Sequence, residues 1–477
     1  MGRFRIYRLK AFLMIMFLFG IYLYGYSKKK DIKEKPNIVL ILVDDLGWSD
    51  TGFMGSLVYE TPNLDRFAME SIVFYNGYAP AANCAPSRAC ILTGKNTPRH
   101  GIYTVGSSER GDAKDRKLIP TPNTTVLDSS FVTIAEVLKQ KGYSSASVGK
   151  WHLSDDPLTQ GFDVNIGGSH AGHPRSYFSP YKNSALEDGE KGEYLTDRLT
   201  NEAIKFLADN KDRPFFLYLP YYTVHTPLQG KEALVKKYED KLDGDQRFDP
   251  KYGAMVESMD ENIGNLLNKL DELNISDNTL VIFMSDNGGL ASVSSQFPIR
   301  AGKGSYYEGG IRVPFVIRWP KAIKDTRIDS TPISGLDIFP TILDVVNLKE
   351  NLNLDGISIL PLLTENRPLE ERSLFWHFPI YLQSINPAKD KARDSLFRTR
   401  PGSIMRKGKW KLHEYFEDGD IELYDLETDI REQNNLSEKY PDKVKELYKE
   451  LQEWRKEINA PVPMGINPEY EAPANSN

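Results

Sequence analysis

The sequence holds only two cysteines, Cys84 and Cys90, in 477 residues. Two are too few for a disulfide framework or a thiolate zinc cluster. Long basic blocks are missing from the body of the chain, which argues against nucleic acid as a partner. Glycine (35) and proline (29) stay near average, so collagen-like and low-complexity readings fall. What is there is a packed globular composition: 40% apolar, 26% charged, with a net charge of −6. At roughly 100–200 residues per domain, the length supports two or three domains and a sizeable core.

Residues 1–26 stand apart. Arg3, Arg5, Arg8 and Lys10 occur there without an acid, an apolar stretch runs from Ala11 to Tyr26, and Lys28, Lys29 and Lys30 follow. A basic head before an apolar run shorter than the ~20 residues that span a bilayer reads as a secretory signal peptide. Tyr24-Gly25-Tyr26-Ser27 is a poor cleavage site, so an uncleaved anchor stays open. The chain is expected to be exported, to the periplasm or the medium, without stable membrane insertion once the peptide is removed. Cleavage near Gly25 removes four positive charges, giving −6 − 4 = −10. An anionic substrate must then be met by a local positive site.

The body alternates strands and helices. Asn37–Val43 is a continuous apolar run bounded by Pro36 and Asp44, as for a strand buried on both faces of a parallel sheet. Ser144–Val148, Phe215–Leu219, Leu280–Met284 and Val313–Trp319 resemble it, and helical spacing covers Thr133–Lys141, Leu195–Asn210 and Tyr252–Leu273. This predicts an α/β fold with a mostly parallel central sheet, spanning residues 36–365. The texture then changes. Ser403–Met405, Lys409–His413 and Ile421–Tyr424 read as short antiparallel strands and Lys443–Ile458 as a closing amphipathic helix, a smaller α+β unit over 366–465. From Pro461 the chain reads as frayed, with 466–477 as a tail.

Chemistry gathers where strands end, the place where open α/β sheets bind ligands. The first strand ends in Asp44-Asp45 and the Leu280–Met284 strand in Ser285-Asp286-Asn287. Three carboxylates and an amide supply only oxygen ligands, which suits a hard cation such as Ca²⁺ or Mg²⁺. Lys150 and His152 end a third strand, His225 a fourth, and Lys303 sits in a glycine-flanked loop. Beside the metal they describe a pocket for a tetrahedral anion. Pro86 and Ser87 suit the first turn of a helix, with Cys84 at its positive end and Arg88 one turn on. Cys90 reads as a small buried hydrophobe, not bridged to Cys84.

Cys84-Ala85-Pro86-Ser87-Arg88-Ala89-Cys90-Ile91-Leu92-Thr93-Gly94 resembles the signature C-x-P-S-R-x-x-L-x-T-G of the type I sulfatases, with Ile91 for the usual Leu. Gly142 to His152 resembles the family's second signature. The resemblance implies an alkaline-phosphatase-like fold and oxidation of Cys84 to Cα-formylglycine by a formylglycine-generating or anaerobic sulfatase-maturating enzyme. The hydrated aldehyde would attack sulfur, and loss of its second hydroxyl proton would expel sulfate from the resulting hemiacetal. It also implies one Ca²⁺ held by Asp44, Asp45, Cys84, Asp286 and Asn287. Arg88, Lys150 and Lys303 would neutralise the sulfuryl charge, His152 would act as base, and His225 as acid toward the leaving oxygen.

The pattern Gly302–Gly310 is similar to that of bacterial carbohydrate sulfatases, which implies a sulfated glycan, an oligosaccharide attacked from its end, as the substrate. His100, His170, His173 and Arg300 are the candidates for reading the sugar, each set against a structural turn. Two other readings stay open: a phosphate or phosphonate monoester hydrolase of the same superfamily, and a non-catalytic sulfated-glycan binder with unconverted Cys84.

Overall fold

The computed structural model describes residues 35–472; the expected signal peptide and the last five residues of the expected tail lie outside them. Eight strands build the main sheet: β1 (Asn37–Val43), β2 (Ile72–Phe74), β3 (Ser144–Val148), β4 (Val164–Ile166), β5 (Phe215–Pro220), β6 (Thr279–Ser285), β7 (Phe315–Arg318) and β8 (Arg327–Asp329). Their spatial order is β4-β3-β5-β1-β6-β7-β2-β8. The sheet is parallel from β4 to β6; β7 runs antiparallel to both β6 and β2. Each buried strand feeds two cores, because successive side chains of a strand point to opposite faces. Along β1, Ile38, Leu40 and Leu42 join one apolar cluster while Val39, Ile41 and Val43 join the other.

Helices cover both faces. The first cluster takes residues from α1 (Cys84–Thr93), α2 (Ile134–Gln140) and α5 (Ile338–Val345); the second takes them from α3 (Leu195–Asn210) and α4 (Pro250–Glu272). A capping box starts α2, with Thr133 and Glu136 bonding each other's backbone N–H. Among the described residues no helix is long and apolar enough to cross a membrane.

The chain then forms a four-stranded antiparallel meander, β9 (Ser373–Phe378), β10 (Gly402–Lys407), β11 (Trp410–Tyr415) and β12 (Ile421–Asp425). Helix α6 (Pro441–Glu457) packs Leu447 and Leu451 against Met405, Leu412 and Leu423. Strand β9 escaped the sequence reading because charged Glu370-Glu371-Arg372 runs straight into it. The segment after α6 is not frayed as far as it is described. Ile466 bridges Leu118, and the Asn467 side chain donates to the carbonyls of Ala113 (2.8 Å) and Arg116 (2.9 Å). Backbone pairing of this kind ties a terminus down.

Candidate active site

Because β3, β5, β1 and β6 are neighbours and parallel, their carboxyl ends share one edge of the sheet. Asp44 and Asp45 follow β1, Lys150 and His152 follow β3, His225 follows β5, and Asp286 and Asn287 follow β6. Two of these residues hold the left-handed conformation that side chains seldom adopt, Asp45 at φ 62° and His152 at φ 67°. Non-glycine residues in this region cluster at functional sites. Cys84 is the first residue of α1, after Asn83 at the N-cap, and Arg88 lies one turn further on.

Arg88 is fully buried, and two of its three nitrogens donate hydrogen bonds. Nε donates to Asp286 Oδ2 at 2.9 Å, Nη1 to the Lys150 carbonyl at 2.7 Å, and Nη2 lies 2.8 Å from Asp286 Oδ2. Lys150 Nζ meets Asp44 Oδ2 at 2.6 Å, and Lys303 Nζ meets Asp45 Oδ1 at 2.7 Å. Asn287 Nδ2 donates to Asp45 Oδ1 at 2.8 Å. One ligand atom each from Asp44, Cys84 and Asp286 lie within 4.8 Å of one another, as do those of Asp44, Asp45 and His225.

This donor set fits a hard divalent cation. Asp44 Oδ1 and Asn287 Oδ1 are buried oxygens without a hydrogen-bond partner, a costly state for acceptors away from water. Burial, with Asp286 and Asp45 close by, pushes Asp44 up to about 7 despite Lys150, so this carboxylate is short of positive charge. Asp45 is opposite: burial would raise it, but Lys303, with Lys150 behind it, holds it well below the usual carboxylate range.

The histidines are held neutral. Burial and Lys303 bring His225 down to about 3, and burial with Lys150 and Arg88 keeps His152 well below its ordinary value. His225 Nδ1 lies 2.7 Å from the Thr226 carbonyl, which can only accept, so Nδ1 is the donor; Nε2 lies 3.6 Å from Asp45 Oδ2.

The loop with His170 and His173 closes over these rings. His170 lies edge-on to His152 at 6.2 Å between centroids, and His173 stacks on His225 at 6.1 Å. His100 does not join them. It is buried, accepts the Ile102 N–H on Nδ1 (3.1 Å) and contacts Cys90 Sγ through Nε2 (3.3 Å). Arg300 is also spent elsewhere, stacked 3.8 Å over Tyr307 and donating to the Glu432 carbonyl at 2.9 Å. Both side chains are engaged by neighbours away from the ring of histidines. The sequence reading missed Asp50, whose buried carboxylate takes the Gly47 N–H (3.0 Å), the Tyr252 hydroxyl (2.6 Å) and the Ser294 hydroxyl (2.7 Å). It clamps the turn carrying Asp44 and Asp45; its nearness to that pair was the available signal.

The sulfatase family model matches residues 36–348, and the model for the C-terminal part of N-sulphoglucosamine sulphohydrolase matches 302–457. A sulfatase of Formosa agariphila is 30% identical, with 91% of each chain covered. Human N-acetylgalactosamine-6-sulfatase is 33% identical over 75% of this chain and 71% of its own. The crystal structure of Ps i-CgsB in complex with k-i-k-neocarrahexaose superposes with a TM-score of 0.73 at 30% identity, covering 91% of this chain and 95% of the other. The chain belongs to the sulfatase family and is a sulfuric ester hydrolase.

Proposed function

We propose that this hydrolase removes sulfate from a sulfated carbohydrate, an oligosaccharide attacked from its end, with Cys84 as the position converted to formylglycine. The observation that carries the reading is Cys84 at the head of α1, facing Asp44 and Asp286 inside a ring of Arg88, Lys150 and Lys303. The glycan preference is supported by relatives named for an amino sugar sulfate and by a neighbour that holds a neocarrahexaose. Residues 36–365 would carry the chemistry and 366–465 would help shape the sugar side. Residues 1–26 would direct export to the periplasm or medium, and a maturating enzyme would be a partner before folding.

Asp44, Asp45, Asp286 and Asn287 would hold Ca²⁺, with residue 84 as the further ligand. When bound there, such an ion would supply positive charge to the ester and would lower the pKa of the attacking hydroxyl. The converted side chain would supply the nucleophilic hydroxyl together with a second hydroxyl whose loss of a proton restores the aldehyde and expels sulfate from the first oxygen, which neither a thiol nor a serine offers. The protein's own groups do the rest. Arg88, Lys150 and Lys303 offset the negative charge of the ester, with Arg88 fixed by its bonds to Asp286 and the Lys150 carbonyl. His225 Nε2, the nitrogen turned to the pocket, would carry a proton to the leaving alcohol oxygen. Binding of the anionic ester favours that protonated ring. His152 would accept the proton lost on sulfate release. The net reaction consumes one water and yields alcohol and sulfate.

Mass spectrometry of the peptide containing Cys84, from protein expressed with a maturating enzyme, tests the reading together with turnover of aryl sulfate and aryl phosphate. The expected result is an aldehyde at position 84 and a preference for sulfate. Full activity in protein that carries only the thiol would overturn it, and a preference for aryl phosphate would favour the phosphatase alternative.

A further inference from the structure

Two neighbouring arginines, Arg398 on the Lys303 carbonyl and Arg110 beside it, have no ion-paired acid among the described residues. Arg398, on the short strand Phe397–Thr399, is only 8% exposed. Its guanidinium meets backbone alone: Nη1 donates to the Lys303 carbonyl at 3.0 Å and Nε to the Gln383 carbonyl at 3.2 Å. Arg110 donates from Nε to Gln383 Oε1 at 3.0 Å and from Nη1 to the Val105 carbonyl at 3.0 Å. Buried Arg88 and Arg312, and Arg400 close by on the chain, each pair with a carboxylate. Arg398 and Arg110 do not.

The charges around Arg398 sharpen the contrast. The Asp390 carboxylate is nearby, but one oxygen already accepts from the Ser384 hydroxyl and the N–H groups of Ile385 and Asn386. Asp45 is felt from the catalytic centre, where Lys303 occupies it, and Arg110 adds a like charge. A guanidinium nine-tenths buried, bonded to carbonyls and with no carboxylate at ion-pair distance, is expensive to keep, and a second one next to it makes it more so. The arrangement is economical once an anion arrives, since an arginine fork binds carboxylate or sulfate oxygens with charge-assisted bonds. The bond to the Lys303 carbonyl ties Arg398 to the backbone of the residue whose ammonium meets Asp45.

We propose that Arg398 and Arg110 form a second anion subsite, which receives a carboxylate or a further sulfate on the sugar whose scissile sulfate lies against Lys303. This rests on the carbohydrate reading above and narrows it to glycans with two negative groups close together.

The test uses competitive inhibition of aryl-sulfate turnover by matched oligosaccharides. One pair differs by a single additional sulfate; another compares a uronate with its methyl ester beside the same sulfate. Wild-type enzyme is expected to bind the more charged member of one pair about tenfold more tightly, the size of one charge-assisted hydrogen bond. Which pair responds separates sulfate from carboxylate. Arg110→Gln should erase that preference, Arg110→Lys should keep part of it, and Arg398→Lys should weaken it, each read as the ratio of inhibition constants within a pair. The subsite is refuted if wild type inhibits equally with both members of every pair, or if Arg110→Gln leaves the ratio intact. Aryl sulfate turned over with no inhibition by any oligosaccharide would instead remove the carbohydrate reading, and the subsite with it.

Discussion

Replacing Arg88 by Gln is the most informative single change, because it alters the charge of the centre while retaining a polar side chain. Three carboxylates (Asp44, Asp45, Asp286) face three cations (Arg88, Lys150, Lys303), a one-to-one count that leaves none of the cations to spare. Arg88→Gln leaves Asp286 buried with no cation bonded to it. Removing one partner of a buried ion pair costs about 3–5 kcal/mol, far more than the net worth of the pair itself. Urea unfolding in a chelator, followed by tryptophan fluorescence, should show the variant destabilised by that amount. Calcium should then stabilise the variant more than wild type, because the ion replaces the missing positive charge at the same carboxylates. Turnover should still fall by about a hundredfold or more in calcium, the usual cost of deleting one preorganised donor to a reacting oxyanion. An unchanged midpoint in chelator, or equal stabilisation of both proteins by calcium, would refute the charge accounting.

Cys84→Ala should abolish aryl-sulfate turnover while leaving the thermal midpoint near wild type; near-native rates would mean the nucleophile is misassigned. Exhaustive chelation should remove activity and Ca²⁺ should restore it, and full activity after chelation would contradict an oxygen-only metal site. Gly149 has φ 123°, and a Cβ there would lie 2.1 Å from the Pro220 carbonyl oxygen, so Gly149→Ala should cost about 3 kcal/mol or more and displace Lys150 and His152. A soluble variant with normal turnover would show that the strand end can move. Burial holds His100 and His377 down at about 3, against about 6.5 in the unfolded chain. Between those values the unfolded state binds protons that the folded state refuses. Stability from each is whole above about pH 6.5 and is lost as the pH falls toward 3, by about 1.4 kcal/mol per pH unit per histidine. The thermal midpoint should therefore drop from pH 7.5 to 5, and less steeply in His377→Gln; a flat profile would show that these rings take up protons while folded.

Much of the architecture was legible because the buried strands and long helices are written in local pattern. The runs at Asn37–Val43 and Phe215–Leu219 and the period of Leu195–Asn210 mark elements that burial alone dictates. The three-residue strands β2, β4 and β8 were not legible, since three residues cannot show a period, and the antiparallel direction of β7 depends on partners distant in sequence. The same division runs through the site. The order of residues alone told which chemical groups exist and that most follow strands: two aspartates, an Asp-Asn, a lysine and two histidines, with a second lysine in a loop and a cysteine opening a helix. The tertiary structure alone decided which neighbouring groups face them. His100 turned inward to Cys90 and Ile102, Arg300 went to Tyr307 and Glu432, and Arg398 came from nearly a hundred residues away to the Lys303 carbonyl. Side-chain type is a local property, whereas the burial and partners that give a group its charge and role are set by residues far along the chain.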